Sequence, residues 1–254
     1  MQKDRYSIVA FIPARSGSKR VLDKNIRFLA GHPLIAYTIS AALQSEFFSS
    51  VIVSTDSEQY ADIAIHYGAE VPFLRSPEIA GELSPDIEWL EYTLNRLRNE
   101  HRVYDCFSIL RPTSPFRQPE TIRRAWHEFL AEDGVDSLRA VEKCKQHPGK
   151  MWVVRGNRMT PLLPLSPAEQ PWHSSQYQAL PVVYVQNASL EIAWSRVVFQ
   201  GRTIAGNVVM PFFTQDHEGS DINSEYDWKL SEALIQSGKV ILPKVTVPPY
   251  QSHS

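Results

Sequence analysis

Four cationic side chains, Arg15, Lys19, Arg20 and Lys24, fall within ten residues, with Gly17 between them and the hydroxyls of Ser16 and Ser18 alongside. The chain as a whole carries a formal charge of −2, so this local excess of positive charge points to a polyanionic ligand rather than to a generally basic protein. The loop follows directly on residues 8–12, an apolar run that reads as a buried strand. Open α/β sheets bind ligands beyond the carboxyl ends of their strands, which is where such a loop would lie. Gly17 lets the backbone turn tightly and approach a ligand, and the serine hydroxyls add donors. A triphosphate meets this description: about four negative charges need neutralising, and the α-phosphorus must become electrophilic as charge moves onto pyrophosphate. The pattern is neither a Walker loop nor a three-glycine dinucleotide fingerprint. Without the preceding strand, the same residues would read as a solvated turn.

Positioning such a loop takes an alternating framework, and the first 140 residues supply one. Helical spacing over residues 33–47 follows the first strand, and residues 51–54 form a second. A helix with Tyr60, Ile63, Ala64 and Tyr67 on one face follows, then a short strand at 71–74. Ser84-Pro85 caps a helix carrying Ile87, Leu90, Leu94 and Leu97. Residues 107–110 read as a strand, Pro119 opens another helix, and residues 135–141 close the series. This rhythm predicts an open, mostly parallel Rossmann-like sheet with helices on both faces, in a single domain over residues 1–254. Beyond residue 142 it breaks. Residues 145–181 hold six prolines and one short strand candidate at 151–155, and Trp152, Leu162, Leu163, Leu165, Trp172 and Tyr177 would be costly to expose. That stretch is expected to be an arm or small lobe. Strands return at 182–185, 190–194 and 207–212, and a last helix is expected over 224–237.

Composition narrows the classes. With 254 residues, 43% hydrophobic and 21% charged, the chain can bury a sizeable core. Neither nucleic-acid nor membrane partners are expected from its balance of charge or from its longest apolar runs. Two cysteines, Cys106 and Cys144, form no disulfide framework or zinc spacing. With no signal-peptide pattern at the start, a cytoplasmic protein is expected.

Residues 12–25 resemble the signature of the acylneuraminate cytidylyltransferases, the family that makes CMP-sialic acid and related CMP-nonulosonic acids. Val53-Ser54-Thr55-Asp56, Arg75-Ser76-Pro77-Glu78 and Leu110-Arg111-Pro112-Thr113-Ser114-Pro115-Phe116-Arg117 are similar to further motifs of that family, in order. Asn187-Ala188-Ser189 and Asp221-Ile222-Asn223 extend the resemblance towards the C-terminus. It implies a CTP-dependent enzyme that couples the nucleotide to the anomeric hydroxyl of an acidic nine-carbon sugar. Arg15 and Lys19 would contact the phosphates, Lys19 at the reacting one. Ser18, Lys24 and Asn25 would support triphosphate and ribose, and Arg75 and Asp86 would face the cytosine. Asp86 could equally be an acidic residue favoured at a helix start. The resemblance also implies Mg²⁺ held by Asp221 and Asn223, with Asp221 catalytic and the number of metal ions open. Asp227 reads instead as an acidic residue early in the last helix, and His147 as a structural histidine.

The substrate end departs from the family pattern. Arg111 replaces a glutamine, Glu191 stands where a tyrosine is common, and residues 177–187 contain no arginine. Arg111 can hold a sugar carboxylate bidentately and Glu191 can accept from an amide or hydroxyl, with Thr113, Ser114 and Asn187 nearby in the matched motifs. This shift argues for a bacterial analogue such as legionaminic acid. The resemblance further implies a homodimer in which residues 145–181 form a dimerisation and substrate-covering arm. Competing readings are a cytidylyltransferase for the eight-carbon 3-deoxy acid, against which Thr113 stands in place of an aspartate, a glycosyltransferase of similar fold, and a non-catalytic nucleotide-binding regulator.

Overall fold

In β1 (Ile8–Pro13) alternate side chains enter different cores. Ile8, Ala10 and Ile12 enter one, and Val9 and Phe11 the other. The computed structural model describes residues 6–18, 20–81, 84–164 and 167–251. After β1 come two-residue pairs β2 (Phe28–Leu29) and β3 (His32–Pro33), helix α1 (Leu34–Ser45), β4 (Ser50–Ser54) and α2 (Glu58–His66). Next in sequence are α3 (Asp86–Asn99), β5 (Cys106–Ile109), α4 (Pro119–Ala131) and β6 (Ser137–Lys143). The remainder comprises β7 (Trp152–Arg155), β8 (Arg158–Pro161), β9 (Tyr184–Trp194), α5 (Arg196–Gly201), β10 (Val209–Phe213) and α6 (Glu225–Gln236).

Among the described residues one six-stranded sheet runs in the order β10-β6-β9-β5-β1-β4. β4 and β5 flank β1 in parallel, while β9 runs antiparallel to β5, pairing Glu191 with Ile109. Buried residues of α1, α2 and α4 join the core on one side of β1. Those of α3 and α5 join the core on the other. Both faces of the sheet are therefore covered, as the alternation predicts, and the apolar β1 reads as it does because neither face meets water. A third cluster, with Val21, Leu29, Leu34 and Tyr37, packs with Ile222 and Trp228 and ties the start of α6 to the segment after the basic loop.

Local chemistry sets the boundaries. The Ser57 hydroxyl caps α2 by accepting from the Tyr60 amide, and Ser224 with Asp227 forms a reciprocal capping box on α6. The expected strand at 71–74 does not form. The chain makes a single parallel bridge between Ile52 and Glu70, and Pro72 then has no amide to continue the ladder. The two expected strands at 182–185 and 190–194 merge into one strand, β9, which begins only at Tyr184.

The chain divides into two compact units, Met1–Ala140 with Asn187–Ser254, and Val141–Gln186. The smaller unit contains the β7–β8 hairpin, closed by a two-residue turn whose first residue, Gly156, takes φ 59°. His147 organises this unit: its Nδ1 accepts from the Gly149 amide, and its Nε2 lies 2.9 Å from the Pro181 carbonyl, to which it donates in that tautomer. Its ring meets Trp172 and Tyr177 edge-on. The Lys150 ammonium donates to the carbonyl of Ser175 at 2.6 Å. With both ring nitrogens engaged and the residue buried, His147 is structural.

Candidate active site

The carboxyl ends of β1 and β5, the loop before α3 and the first turns of α3 surround a cavity of about 270 Å³. Arg15, Ser18, Lys24, Asn25, Arg75, Asp86, Arg111 and Thr113 line it, together with Pro13, Ile79, Gly81, Ser84, Trp89 and Pro112. Every expected nucleotide-binding residue among those described therefore reaches one cavity. Lys19 lies outside the described residues. Among the described lining residues four cationic side chains face one carboxylate, a balance that suits an anion.

The basic loop is pinned from beneath by Asp56, just after β4. Its carboxylate accepts from the Ser16 amide and from the Ser16 hydroxyl, both at 2.7 Å. Gly17, next in line, sits at φ 70°, a conformation that favours glycine. Asn25 is buried, and its amide donates to the Arg15 carbonyl at 3.3 Å, closing the loop's far end. Lys24 donates to the Ile222 carbonyl at 2.7 Å. Burial lowers its pKa from the ordinary lysine value, the nearby Asp221 charge opposes that, and Arg20 and Arg15 add to it.

Arg75 forms part of the wall. Its guanidinium lies 4.4 Å over the Trp89 ring, and its Nε donates to the Ser54 hydroxyl at 2.6 Å. Nη2 is buried without a hydrogen-bond partner. Burial pulls this guanidinium down to about 10, so it stays charged at neutral pH. A buried, unpaired donor on a cation is costly, and a ligand acceptor in the cavity would relieve that cost.

Asp86 begins α3 and accepts from Trp89 Nε1 at 2.8 Å and from Arg111 Nη2 at 2.5 Å. Burial pushes its carboxyl upward, but the Arg111 charge and hydrogen bond, the Trp89 donor and Arg75 outweigh it and hold the pKa below the ordinary aspartate value. Arg111 Nη2 also donates to Glu191 at 3.1 Å. Glu191 is buried and its other oxygen pairs with Arg139. Glu191 and Arg139 are not among the residues lining the cavity.

The remaining expected residues are placed as follows. Thr113 lines the cavity and its carbonyl accepts from the Ile222 amide at 2.9 Å, which brings residues 221–223 against the wall beside Lys24. Asp221 Oδ2 accepts from the Asn223 amide at 2.5 Å, while its Oδ1 is buried without a partner. Asp227 serves the α6 capping box. Ser114 is buried with its hydroxyl unpartnered, below the turn that Arg117 holds through the carbonyls of Ser189 and Arg111. Asn187 has both ends of its amide engaged, donating to Thr214 and accepting from the Ser189 amide.

Sequence reasoning assigned no role to Asp56, Trp89 or Arg139. Asp56 carries a local signal, a carboxylate two residues past a strand and facing a basic loop. Arg139 has none, because its partner is defined only once β6 and β9 are neighbours.

Comparison with known proteins bears on the family and the fold. Residues 9–148 match the family model described as cytidylyltransferase. Over 240 residues the chain is 36% identical to the CMP-N,N'-diacetyllegionaminic acid synthase of Legionella pneumophila, covering 90% of this chain and 96% of that protein. It is 32% identical over 238 residues to the N-acylneuraminate cytidylyltransferase of Escherichia coli, covering 91% of this chain but only 53% of that longer protein. The fold resembles that of a CMP:2-keto-3-deoxy-manno-octonic acid synthetase solved with CTP, with a TM-score of 0.67 at 14% identity over 91% of this chain and 99% of that one.

Proposed function

The chain belongs to the cytidylyltransferase family, and we propose that it couples CTP to the anomeric hydroxyl of a nine-carbon acidic sugar, with legionaminic acid or a close analogue preferred, releasing pyrophosphate. The observation that carries this reading is the cavity in which Arg15, Lys24, Arg75 and Arg111 converge at the strand ends. In this reading Arg15 and Lys24 hold the phosphates and Asn25 fixes the loop that bears them. Arg75 and Trp89 form the wall against the nucleotide, and Arg111 meets the sugar acid. Catalysis then consists chiefly of positioning and charge neutralisation as the sugar oxygen attacks the α-phosphorus. The similarity to the legionaminic acid synthase spans both proteins almost entirely, which favours that class of sugar over sialic acid itself.

Mg²⁺ fits the residues present. Asp221 Oδ1 is a buried carboxylate oxygen with no protein partner. The Asn223 amide faces Asp221 through its nitrogen, which donates to Oδ2, so it would offer its oxygen to an ion only by turning over. No group of three or more metal-ligating His, Cys, Asp or Glu side chains occurs among the described residues. Asp221 and Asn223 would therefore hold the ion together with phosphate oxygens and water, as is usual for magnesium at triphosphates. Bound there, the ion would supply charge stabilisation on the phosphates.

Two unpaired cysteines fit a reducing, cytoplasmic setting, and no described helix is long and apolar enough to cross a membrane. The exposed apolar side chains of residues 141–186 support a homodimer.

The direct test is pyrophosphate release from the purified protein with CTP and Mg²⁺, offered legionaminate, N-acetylneuraminate, pseudaminate and the eight-carbon 3-deoxy acid, with ATP, GTP and UTP as controls. Release only with CTP and a nine-carbon acid, strongest for legionaminate, is expected. A clear preference for N-acetylneuraminate would overturn the substrate assignment, and no release with any acid would overturn the enzyme reading.

A further inference from the structure

Behind the cavity runs a line of four alternating charges: Arg139, Glu191, Arg111 and Asp86. Strand order creates it. Arg139 lies on β6, Glu191 on the neighbouring β9, and Arg111 just past the end of β5, which pairs with β9. Asp86 reaches in from the first turn of α3. The two members farthest from the cavity are buried: Arg139 is 7% exposed and Glu191 4%. Arg139 also donates to the Ile204 carbonyl at 3.0 Å, so its guanidinium is fixed on the far side as well.

The geometry at Arg111 is specific. Both of its carboxylate contacts fall on the same nitrogen, Nη2, at 2.5 Å from Asp86 and 3.1 Å from Glu191. An arginine nitrogen of this type has two protons, so both are in use. A bidentate contact to an incoming carboxylate uses two nitrogens along one edge of the guanidinium, and Nη2 is shared by both usable edges. Such a ligand must therefore displace either Asp86 or Glu191. Glu191 is buried, and its second oxygen is held by Arg139; releasing it would leave a buried charge poorly compensated. Asp86 lies at the cavity wall with its side chain 29% exposed, and the Trp89 indole remains as its donor when Arg111 leaves.

We propose that Arg139 and Glu191 are a positioning pair that fixes Arg111 from behind, so that the carboxylate of the acidic sugar binds Arg111 by taking the place of Asp86. This rests on the function proposed above. Neither Arg139 nor Glu191 touches substrate. Asp86 acts as a resident competitor that keeps Arg111 paired while the cavity lacks sugar. The arrangement makes the site selective for a carboxylate: a neutral group cannot replace the charge that Arg111 gives up when Asp86 is displaced.

The test compares wild type, the double variant R139M/E191L and D86N. KM for the sugar acid is measured at saturating CTP, and CTP affinity is measured separately by calorimetry. The double variant removes both buried charges together, a change that proteins often tolerate. It is expected to raise KM for the sugar acid at least tenfold with CTP affinity within twofold of wild type, whereas a merely structural defect would impair both. D86N, at the wall and outside the buried pair, is expected to lower KM for the sugar acid several-fold. An active double variant with unchanged sugar KM, or a D86N enzyme whose sugar KM rises, overturns the inference. If the double variant does not fold, D86N alone decides. Wild type that releases no pyrophosphate with any acidic sugar overturns the function itself, a result distinct from either failure.

Discussion

Lys24 reaches the cavity with its pKa below that of an ordinary lysine. Burial lowers its pKa, and Asp221 only partly restores it. A phosphate-binding cation whose pKa is depressed in the free protein is lost as pH rises through that lowered value, before an ordinary lysine would titrate. The pH profile of kcat/KM for CTP, which reports the free enzyme, should therefore fall on its alkaline side. K24R should shift that fall to higher pH, because a guanidinium keeps its proton there, at some loss of fit. An identical alkaline limb in both proteins would remove Lys24 from the phosphate site. Asp221 permits a second test at this scale. Its unpartnered Oδ1 is the oxygen proposed for Mg²⁺, and on that proposal D221N should reduce kcat by about 100-fold and remove the Mg²⁺ dependence of CTP binding in calorimetry. CTP binding that stays fully Mg²⁺-dependent in D221N would place the ion elsewhere.

At the level of elements, the capping box of α6 holds the segment that carries Asp221. Asp227 accepts from the amides of Asn223 and Ser224 at 2.9 and 2.8 Å, and from the Ser224 hydroxyl. Burial works against the charged carboxyl, but these donors and Lys24 win, so its pKa lies below the ordinary aspartate value. The native state thus binds this proton less readily than the unfolded chain does. The stabilisation is complete above the ordinary aspartate pKa and disappears as pH falls through the lowered native value. D227N should cost about 1 kcal/mol in urea unfolding at pH 7, and the gap from wild type should close in acid. A gap that persists unchanged at low pH would show that the cap works without the charge. Elements of this kind were legible in the sequence because their signals are local. Ser224 with Asp227 marks a helix start, periodic apolar residues mark α1 to α4, and the apolar run before the basic loop marks β1. What escaped depends on partners. Residues 71–74 look like a strand until the bridge at Glu70 is seen to end there. The polar Gln186 and Asn187 split β9 on paper, although β5 pairs with it from Glu191 to Trp194. The positioning pair behind Arg111 depends on the order of strands in the sheet, which no local pattern encodes.

For the molecule as a whole, the smaller unit presents apolar side chains that a second copy would cover in the proposed dimer. In its β7–β8 hairpin, Val154 and Met159 are register partners on one face, 67% and 55% exposed. Leu162 and Tyr177, in the same unit, are 47% and 43% exposed. Isolated exposed apolar residues are ordinary, but several in a unit of 46 residues with its own packed histidine-aromatic centre are the pattern of an interface. If the hairpin faces water, changing Val154 and Met159 to aspartate should move stability by no more than about 0.5 kcal/mol per site and leave the mass unchanged. If it faces a second copy, the same changes bury charge at a contact, where such losses reach about 2 kcal/mol or more per central residue. Light scattering at micromolar concentration should give a dimer for the wild type and a monomer for V154D/M159D, with CTP affinity retained because neither residue lines the nucleotide cavity. Sugar turnover in the monomer then separates two roles for residues 145–181. Retained KM for the sugar acid would mean that the arm serves assembly alone, and a raised KM would mean that it also covers the substrate. A wild-type monomer would remove the arm's proposed role altogether.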